Sequence, residues 1–301
     1  MTAKRPSPLK AALKVMRLHQ WSKNALVLVP VLLAPHALSS GGLSRAALAA
    51  LALSLCASAG YVFNDLMDVG ADRAHPTKNR RPFASGALPT RYGPPLILLL
   101  LGGGVAISLL ALPLSFFAML GLYFVITISY SFYLKSLLLV DVIVLAWLYT
   151  HRVVAGGFAT GVSISAWLLA FSMFIFLSLA FAKRHVELHN AVDETGKLRS
   201  RAYRAEDLTM VATMGTTAGY LAILVFCLYI ESSAVGVIYA RPRLLWLVCP
   251  VLLYWISRVW FLTQRGEMND DPVKFAVTDR WSWLCALAIG AVAGAARFWA
   301  N

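Results

Sequence analysis

The sequence has few charged residues. Asp, Glu, Lys and Arg make up 14% of its 301 residues, whereas apolar side chains make up 59%, and soluble domains average about 25% charged residues. An ordinary water-soluble fold is excluded, because no soluble fold of this size needs so much apolar surface. Uncharged apolar runs recur along the chain at the length of about 20 residues that a membrane-spanning helix needs.

Cysteine is also scarce, and its spacing carries no chemistry. The four cysteines lie inside apolar runs, without CxxC or Cys/His spacing; they are Cys56, Cys227, Cys249 and Cys285. We interpret them as small buried side chains and not as disulfide or metal ligands. The first 23 residues are mostly polar, which disfavours a cleavable signal peptide, so we expect the N-terminal segment to stay attached.

The apolar runs predict an all-α integral membrane protein with nine transmembrane helices. Residues 1–301 are expected to form one transmembrane domain, in which residues 1–23 are a cytoplasmic or interfacial segment. The predicted spans are 24–38, 46–63, 96–112, 114–134, 138–158, 165–182, 208–230, 243–263 and 281–299. Pro30 and Pro35 favour a broken first helix, which is tolerated where neighbouring helices satisfy the exposed backbone groups.

The basic residues predict the orientation in the membrane. With nine spans, 21 of the 27 Lys and Arg residues fall on one side, together with thirteen of the fourteen acids. The positive-inside rule makes this side cytoplasmic and puts the C-terminus on the opposite side of a bacterial-type inner membrane. The net charge of +13 therefore implies no nucleic acid, whereas charges of both signs on one face favour a metal ion with a polyanion.

The strongest local pattern follows the second predicted span. On a helix, Asn64, Asp65, Asp68 and Asp72 fall within an arc of about 100° and share one face. Mg²⁺ typically takes one or two carboxylates and completes its shell with water and substrate phosphates, which suits a spaced row of acids. The alternative is a solvated acidic helix face.

Cations follow these acids directly. They are Arg73, Lys78, Arg80 and Arg81, in a loop that Pro76 and Pro82 stiffen. We expect them to bind a polyphosphate, although basic residues that only set the topology are the alternative. The segment Arg17–Asn24, with Lys23 and Asn24, fits either an interfacial anchor or a ligand site.

A second charged cluster follows the sixth predicted span. It contains Lys183, Arg184 and Glu187, with Arg201 and Arg204 further along the same loop. A Lys–Glu spacing of one turn often means only a weak surface pair, so a functional and a structural interpretation both stay open. Asp141 and Arg152 lie within or at the rim of the fifth span, where ionisable residues are usually paired or functional. They are about 16 Å apart along a helix and do not pair with each other.

These motifs resemble the UbiA superfamily of membrane prenyltransferases, whose first aspartate motif, NDxxDxxxD, matches Asn64 to Asp72. The resemblance covers essentially the whole chain and implies nine transmembrane helices around a central cavity. It is closer to the decaprenyl-phosphate phosphoribosyltransferase branch, because the extended motif NDxxDxxxDRxHPxKxxRPxxxG fits from Asn64 to Gly86. The branch segments RxxQWxKN, YSxxLK and KRxxEL correspond to Arg17–Asn24, Tyr130–Lys135 and Lys183–Leu188.

The branch implies a donor, an acceptor and a cofactor. The donor is 5-phosphoribosyl 1-diphosphate (PRPP), the acceptor is a long-chain polyprenyl phosphate and the cofactor is Mg²⁺, held by Asn64, Asp65, Asp68 and Asp72. The three aspartates are the candidate catalytic residues. The candidate substrate-binding residues are Lys23, Asn24, Arg73, Lys78, Arg80, Arg81, Tyr130, Lys135, Asp141, Arg152, Lys183, Arg184, Glu187, Arg201 and Arg204.

Two other functions were weighed against this one. A UbiA-type prenyltransferase that moves a prenyl group from its diphosphate to an aromatic or haem-like acceptor would normally show a second DxxxD motif after the sixth span, and this sequence has none in that loop. A transporter would more often show internal repeats and ionisable residues near the midplane. The sequence leaves the oligomeric state open.

Overall fold

The computed structural model describes residues 8–34, 37–38, 41–74, 77–192, 202–268 and 272–298, and its regular elements there are helices. The α-helices are α1 (Pro8–Val15), α2 (Val29–Leu33), α3 (Gly42–Met67), α4 (Val69–Ala74), α5 (Gly93–Ala111), α6 (Leu114–Phe132), α7 (Val140–Thr160), α8 (Ala166–Val192), α9 (Leu208–Glu231), α10 (Val235–Ile238), α11 (Val248–Gln264), α12 (Pro272–Thr278) and α13 (Arg280–Phe298). Short 3₁₀ helices cover Leu18–Leu28, Lys78–Arg80, Thr90–Tyr92, Leu134–Ser136, Ala205–Asp207 and Pro242–Leu247.

Eight helices of the described residues are long and apolar enough to cross a membrane. They contain α3, α5, α6, α7, α8, α9, α11 and α13, and they coincide with the second to ninth predicted spans. The predicted fold class is thereby confirmed, and the protein is a multi-pass membrane protein.

The first predicted span, 24–38, differs from the other eight. Its described part consists of the end of the 3₁₀ helix Leu18–Leu28, the five-residue α2 and residues 37–38. Pro30 lies in the first turn of α2, where its missing N–H leaves no hydrogen bond unmade. This segment is broken, as expected, and it is too short to count as a ninth continuous helix. Pro35 lies outside the described residues.

Helix α8 is longer than its apolar run predicts. The predicted span ends at residue 182, but the helix continues to Val192. Lys183, Arg184 and Glu187 therefore lie on a helix and not in a loop. The extra turns are stabilised by contacts from Lys183 and Arg184 to Glu187, at spacings of four and three residues.

The described residues form two compact units. Unit 1 comprises Met1–Phe132 with His151–Ser163. Its central element is α3, which packs against the 3₁₀ helix Leu18–Leu28, α5 and α6. Ala49, Ala52 and Ala59 on α3 are completely buried, and such small residues let membrane helices approach closely.

Unit 2 comprises Tyr133–Thr150 with Ile164–Asn301. In it α8 packs along α9, and both contact α11. The Ser178 hydroxyl donates to the Gly215 carbonyl oxygen across 2.6 Å and accepts a hydrogen bond from Trp260 Nε1 across 3.0 Å. One hydroxyl thus joins three helices, in keeping with the use of small and polar residues between membrane helices.

Candidate active site

The aspartate motif begins at the C-terminal end of α3. The helix stops at Met67, Asp68 is its C-cap, and α4 starts at Val69. The Asp72 N–H donates to the Asp68 carbonyl oxygen across 2.8 Å, so the backbone path stays close to helical. Asp65 and Asp72 are buried, whereas Asp68 is exposed.

Two arginines neutralise the buried carboxylates. Arg81 Nη1 donates to Asp65 Oδ1 across 3.1 Å and to Asp72 Oδ2 across 2.9 Å. Arg17 Nη2 donates to Asp65 Oδ1 across 2.6 Å. Because the C-terminal end of a helix carries partial negative charge, a buried carboxylate in the last turn of α3 needs such cations nearby.

The position of Arg17 depends on a turn and an aromatic ring. Arg17 has φ 53° and ψ 51°, a left-handed conformation that is uncommon outside glycine and asparagine. This turn separates α1 from the 3₁₀ helix Leu18–Leu28. The guanidinium lies 4.9 Å from the centroid of the Tyr61 ring, a distance at which a cation is attracted by the ring face.

Further contacts gather the motif segments around α3. Asn64 Nδ2 donates to Ser131 Oγ across 2.9 Å, which joins the aspartate motif to the Tyr130–Lys135 segment. Trp21 Nε1 donates to Ser58 Oγ across 3.0 Å, and Ser58 Oγ donates to the Met16 carbonyl oxygen. Within unit 1, the structure therefore brings three segments that are far apart in sequence to one helix.

A cavity of about 380 Å³ opens beside Asp65. We call it the donor cavity, and its lining residues are Lys14, Arg17, His19, Asp65, Thr77, Lys78, Arg80, Arg81 and Pro82. Five of these carry a permanent positive charge and one is an acid. Such a lining fits a polyanion, because Lys and Arg bind phosphate oxygens through charge-assisted hydrogen bonds.

The donor set fits a magnesium ion bound together with phosphate. In the described part of the chain, no three His, Cys, Asp or Glu side chains form a group that could hold a metal. However, Asp65 and Asp72 both contact Arg81 Nη1, so their oxygens converge on a single cation. Mg²⁺ typically takes one or two carboxylates and fills its shell with water and substrate oxygens. The four-ligand set with Asn64 and Asp68 stays a prediction.

Arg152 has polar partners inside unit 1. Its Nε donates to Asn24 Oδ1 across 2.8 Å and its Nη2 donates to Tyr123 Oη across 3.2 Å, while Asn24 Nδ2 donates to Ser54 Oγ across 2.8 Å. The expectation that an ionisable residue in this span is partnered is confirmed. The network fixes the segment that carries Asn24.

In unit 2, Asp141 and Arg184 pair with each other. Both side chains are completely buried, and Arg184 Nη2 lies 2.7 Å from Asp141 Oδ2. Tyr203 Oη donates to Asp141 Oδ1 across 2.8 Å and accepts the Leu139 N–H. Burial, with the Asp141 carboxylate beside it, raises the pKa of Tyr203, so this hydroxyl stays protonated.

The other predicted residues are distributed over both units. In unit 1, Lys23 and Tyr130 are half-buried, Lys78 and Arg80 are exposed, and Arg73 Nε donates to the Ala84 carbonyl oxygen. In unit 2, Lys135 and Glu187 are half-buried, Lys183 lies 3.9 Å from Glu187, and Arg204 is exposed. Arg201, His75 and Pro76 lie outside the described residues.

The structure adds three residues that the candidate set omitted, namely Lys14, Arg17 and His19, which line the donor cavity. Arg17 carried a sequence signal, since it is the first residue of the segment that matches RxxQWxKN. Lys14 carried none beyond its charge.

Comparison with known proteins agrees with this architecture. The profile of the UbiA prenyltransferase family matches residues 27–285. The nodulation protein NoeC of Azorhizobium caulinodans is 37% identical, covering 94% of this chain and 92% of its own. Decaprenyl-phosphate phosphoribosyltransferase of Mycobacterium tuberculosis is 32% identical, covering 94% and 93%. The uncharacterised protein y4nM of Sinorhizobium fredii is 35% identical over 96% of this chain, which spans only 56% of that relative.

Solved structures share the fold at low sequence identity. A UbiA homologue from Archaeoglobus fulgidus, bound to GPP and Mg²⁺, superposes with a TM-score of 0.67 at 15% identity, covering 94% of this chain and 99% of its own. A digeranylgeranylglyceryl phosphate synthase superposes with a TM-score of 0.64 at 13% identity, covering 96% and 98%. The chain belongs to the UbiA prenyltransferase family and is a membrane-embedded transferase, with decaprenyl-phosphate phosphoribosyltransferases among its relatives.

Proposed function

We propose that this protein transfers the 5-phosphoribosyl group of PRPP to a long-chain polyprenyl phosphate of the decaprenyl-phosphate type and releases diphosphate. The observation that carries the proposal is the donor cavity, in which five Lys and Arg side chains surround one buried carboxylate. The relative from Mycobacterium tuberculosis, which is named for this reaction, supports it.

The donor is bound by cations of the donor cavity. PRPP carries a diphosphate and a 5-phosphate, so it needs several cationic contacts at once. Lys78, Arg80 and Arg81 are close together in sequence and line one side of the cavity, and they contact the phosphate oxygens. Lys23, Asn24, Arg73 and Tyr130 are further proposed contacts in unit 1.

The carboxylates hold Mg²⁺ against the donor's diphosphate. Asp65 and Asp72 already converge on one cation, and Asn64 and Asp68 complete the proposed ligand set. The bound ion neutralises the charge that develops on the leaving diphosphate. Arg17 and Arg81 then exchange carboxylate oxygens for phosphate oxygens, which keeps each cation paired.

The reaction needs no general base. An oxygen of the acceptor phosphate forms a bond to C1 of the ribose, and the C1–O bond to the diphosphate breaks with its electron pair on the diphosphate. The acceptor is already an anion near neutral pH, since the second pKa of a phosphate monoester is about 6. The cations of the donor cavity favour the departure of the leaving group by lowering its negative charge.

Residues of unit 2 have two different proposed roles. Lys135, Lys183, Glu187, Arg201 and Arg204 are proposed substrate contacts. Asp141 and Arg184 are each other's charge partners, so we assign them the structural role of holding α7 and α8 together. Arg152 has the corresponding role in unit 1, because it fixes Asn24.

The proposed orientation follows the charge distribution. The N-terminus and the donor cavity face the cytoplasm of a bacterial-type inner membrane, and the C-terminus lies on the opposite side. A soluble anionic donor then reaches the cavity from water, while the lipid acceptor enters from the bilayer. Because the family profile spans both units, we treat residues 1–301 as one functional domain.

The test is product identification with purified full-length protein in nanodiscs. One reaction contains labelled PRPP, polyprenyl phosphate and Mg²⁺; another contains labelled prenyl diphosphate, an aromatic acceptor and Mg²⁺. We expect polyprenyl phosphoribosyl phosphate, detected by mass spectrometry, in the first alone. Asp65→Asn should abolish it, and Glu231→Gln, which changes a carboxylate bound to Trp246, should not. A product only in the second reaction would replace this proposal with prenyl transfer.

A further inference from the structure

Helix α1 has two chemically different faces. Ala11 and Val15 are buried in a core cluster with Ala59 and Val62 of α3. Lys10, Leu13 and Lys14 lie at helical spacing on another face, and Leu13 is 42% exposed. The helix is therefore fixed to unit 1 by its small residues and presents alternating cations and leucines outward.

A second cavity of about 490 Å³ lies against this outer face. We call it the α1 cavity, and its lining residues are Lys10, Leu13, Lys14, Arg17, Leu18 and His19. Its cations suit an anion, whereas the two leucines suit a hydrocarbon. Leu9 and Leu18 are 70% and 40% exposed, which continues the apolar surface beyond the cavity. One ligand that matches both features is an amphiphile with a phosphate head and an isoprenoid or acyl tail.

The two cavities share part of their lining. Lys14, Arg17 and His19 belong to both. A phosphate in the α1 cavity would therefore share cations with a sugar diphosphate in the donor cavity. Arg17 lies at the junction, because it also contacts the buried Asp65 carboxylate.

We infer that the α1 cavity binds the phosphate head and the first isoprenoid carbons of the polyprenyl phosphate acceptor. This inference rests on the proposed function and divides its two substrates between the two cavities. Lys10 and Lys14 hold the phosphate as the dianion, and Leu13 and Leu18 pack on the tail. Arg17 brings the attacking oxygen next to the donor cavity.

The experiment measures acceptor binding without the donor. A photoactivatable polyprenyl phosphate is crosslinked to full-length protein in phosphatidylcholine nanodiscs without PRPP, and the labelled peptide is identified by mass spectrometry. We expect labelling of α1 that unlabelled polyprenyl phosphate suppresses, but polyprenol, phosphatidylglycerol and inorganic phosphate do not. The double variant Lys10→Gln/Lys14→Gln should lower this labelling about tenfold, as expected for lost charge-assisted contacts. Arg91→Gln, an exposed cation on another 3₁₀ helix, is the matched control.

Kinetics give a second readout. In the double variant the KM for polyprenyl phosphate should rise about tenfold, while the KM for PRPP stays within about twofold of wild type. Equal competition by phosphatidylglycerol would identify α1 as an anchor for anionic lipids and overturn the inference, as would labelling confined to other helices. Because the crosslinking needs no PRPP, specific labelling without phosphoribosyl transfer would reject the proposed function and not the acceptor site.

Discussion

Arg17 donates a hydrogen bond from Nη2 to Oδ1 of Asp65 across 2.6 Å, although 48 positions separate them in the sequence. The contact links the turn after α1 to the last helical turn of α3. It also joins the donor cavity to the α1 cavity, since Arg17 lines both. The first motif segment of the chain is thereby part of the same site as the aspartate motif.

Arg17→Gln should lower kcat/KM about a hundredfold. The variant loses a charged hydrogen bond to a buried carboxylate, and such bonds contribute about 1.5–3 kcal/mol. Arg17→Lys should retain part of the activity, because it keeps the charge without the guanidinium geometry. Arg45→Gln, which changes an exposed arginine at the start of α3, is the control. Wild-type kinetics in Arg17→Gln would show that the contact serves only the fold.

Arg81→Gln should bind metal more tightly and yet lose turnover. In the structure Arg81 neutralises both Asp65 and Asp72, so its removal leaves two buried carboxylates in need of a cation. Without substrate, Mn²⁺ binding followed by electron paramagnetic resonance should tighten about tenfold. Arg80→Gln changes a neighbouring exposed arginine and should leave Mn²⁺ binding unchanged. Weaker Mn²⁺ binding in Arg81→Gln would contradict the shared carboxylate site.

The sequence predicted those parts of the molecule that depend on local pattern. Apolar runs located eight helices, and the row of acids located the end of α3. The contacts of Arg17 and Arg184 were not predictable, because each pairs with a residue more than forty positions away and hydrophobic periodicity reports only neighbours along a helix. The broken segment before α3 was expected from Pro30, but its 3₁₀ geometry was not, since 3₁₀ and α-helices share nearly the same apolar spacing.

Asp141→Asn should destabilise the protein by about 3–5 kcal/mol, because it leaves the Arg184 charge buried without its partner. Thermal unfolding in detergent, followed by tryptophan fluorescence, measures the change. The double variant Asp141→Leu/Arg184→Met should lose less stability than Asp141→Asn alone, since replacing both charges removes the unpaired ion. An unchanged unfolding midpoint in Asp141→Asn, with an altered KM, would instead favour contact with substrate.

Asp279 should make stability depend on pH in the acid range. Burial alone raises the pKa of this carboxyl, but hydrogen bonds from Arg258 and Ser282 outweigh it, and the net pKa is lowered from 3.8. The folded pKa lies below the unfolded one, so the stabilisation is complete above the unfolded pKa and is lost as pH falls through the folded pKa. The unfolding midpoint of Asp279→Asn should lie below that of wild type near neutral pH, and the gap should close in acid. A gap that widens in acid would reverse the sign.

Gly156→Ala should disrupt the buried network around Arg152. A Cβ at this position would lie 2.2 Å from the Val27 carbonyl oxygen, and because that atom belongs to the backbone, the segment carrying Val27 must move away from α7. Asn24 lies on the same segment and accepts the Arg152 Nε–H across 2.8 Å, so this hydrogen bond lengthens as well. Overpacking of this kind costs about 1–3 kcal/mol, measurable as a lower unfolding midpoint.

Gly102→Ala is the matched control for that variant. A Cβ at Gly102 on α5 meets nothing within 4 Å, and alanine favours a helix over glycine by about 1 kcal/mol. The midpoint of this control should therefore stay constant or rise. If Gly156→Ala behaved like Gly102→Ala, the close approach of α7 to the segment carrying Val27 would not be required for folding, and Asn24 would not depend on Arg152 for its position.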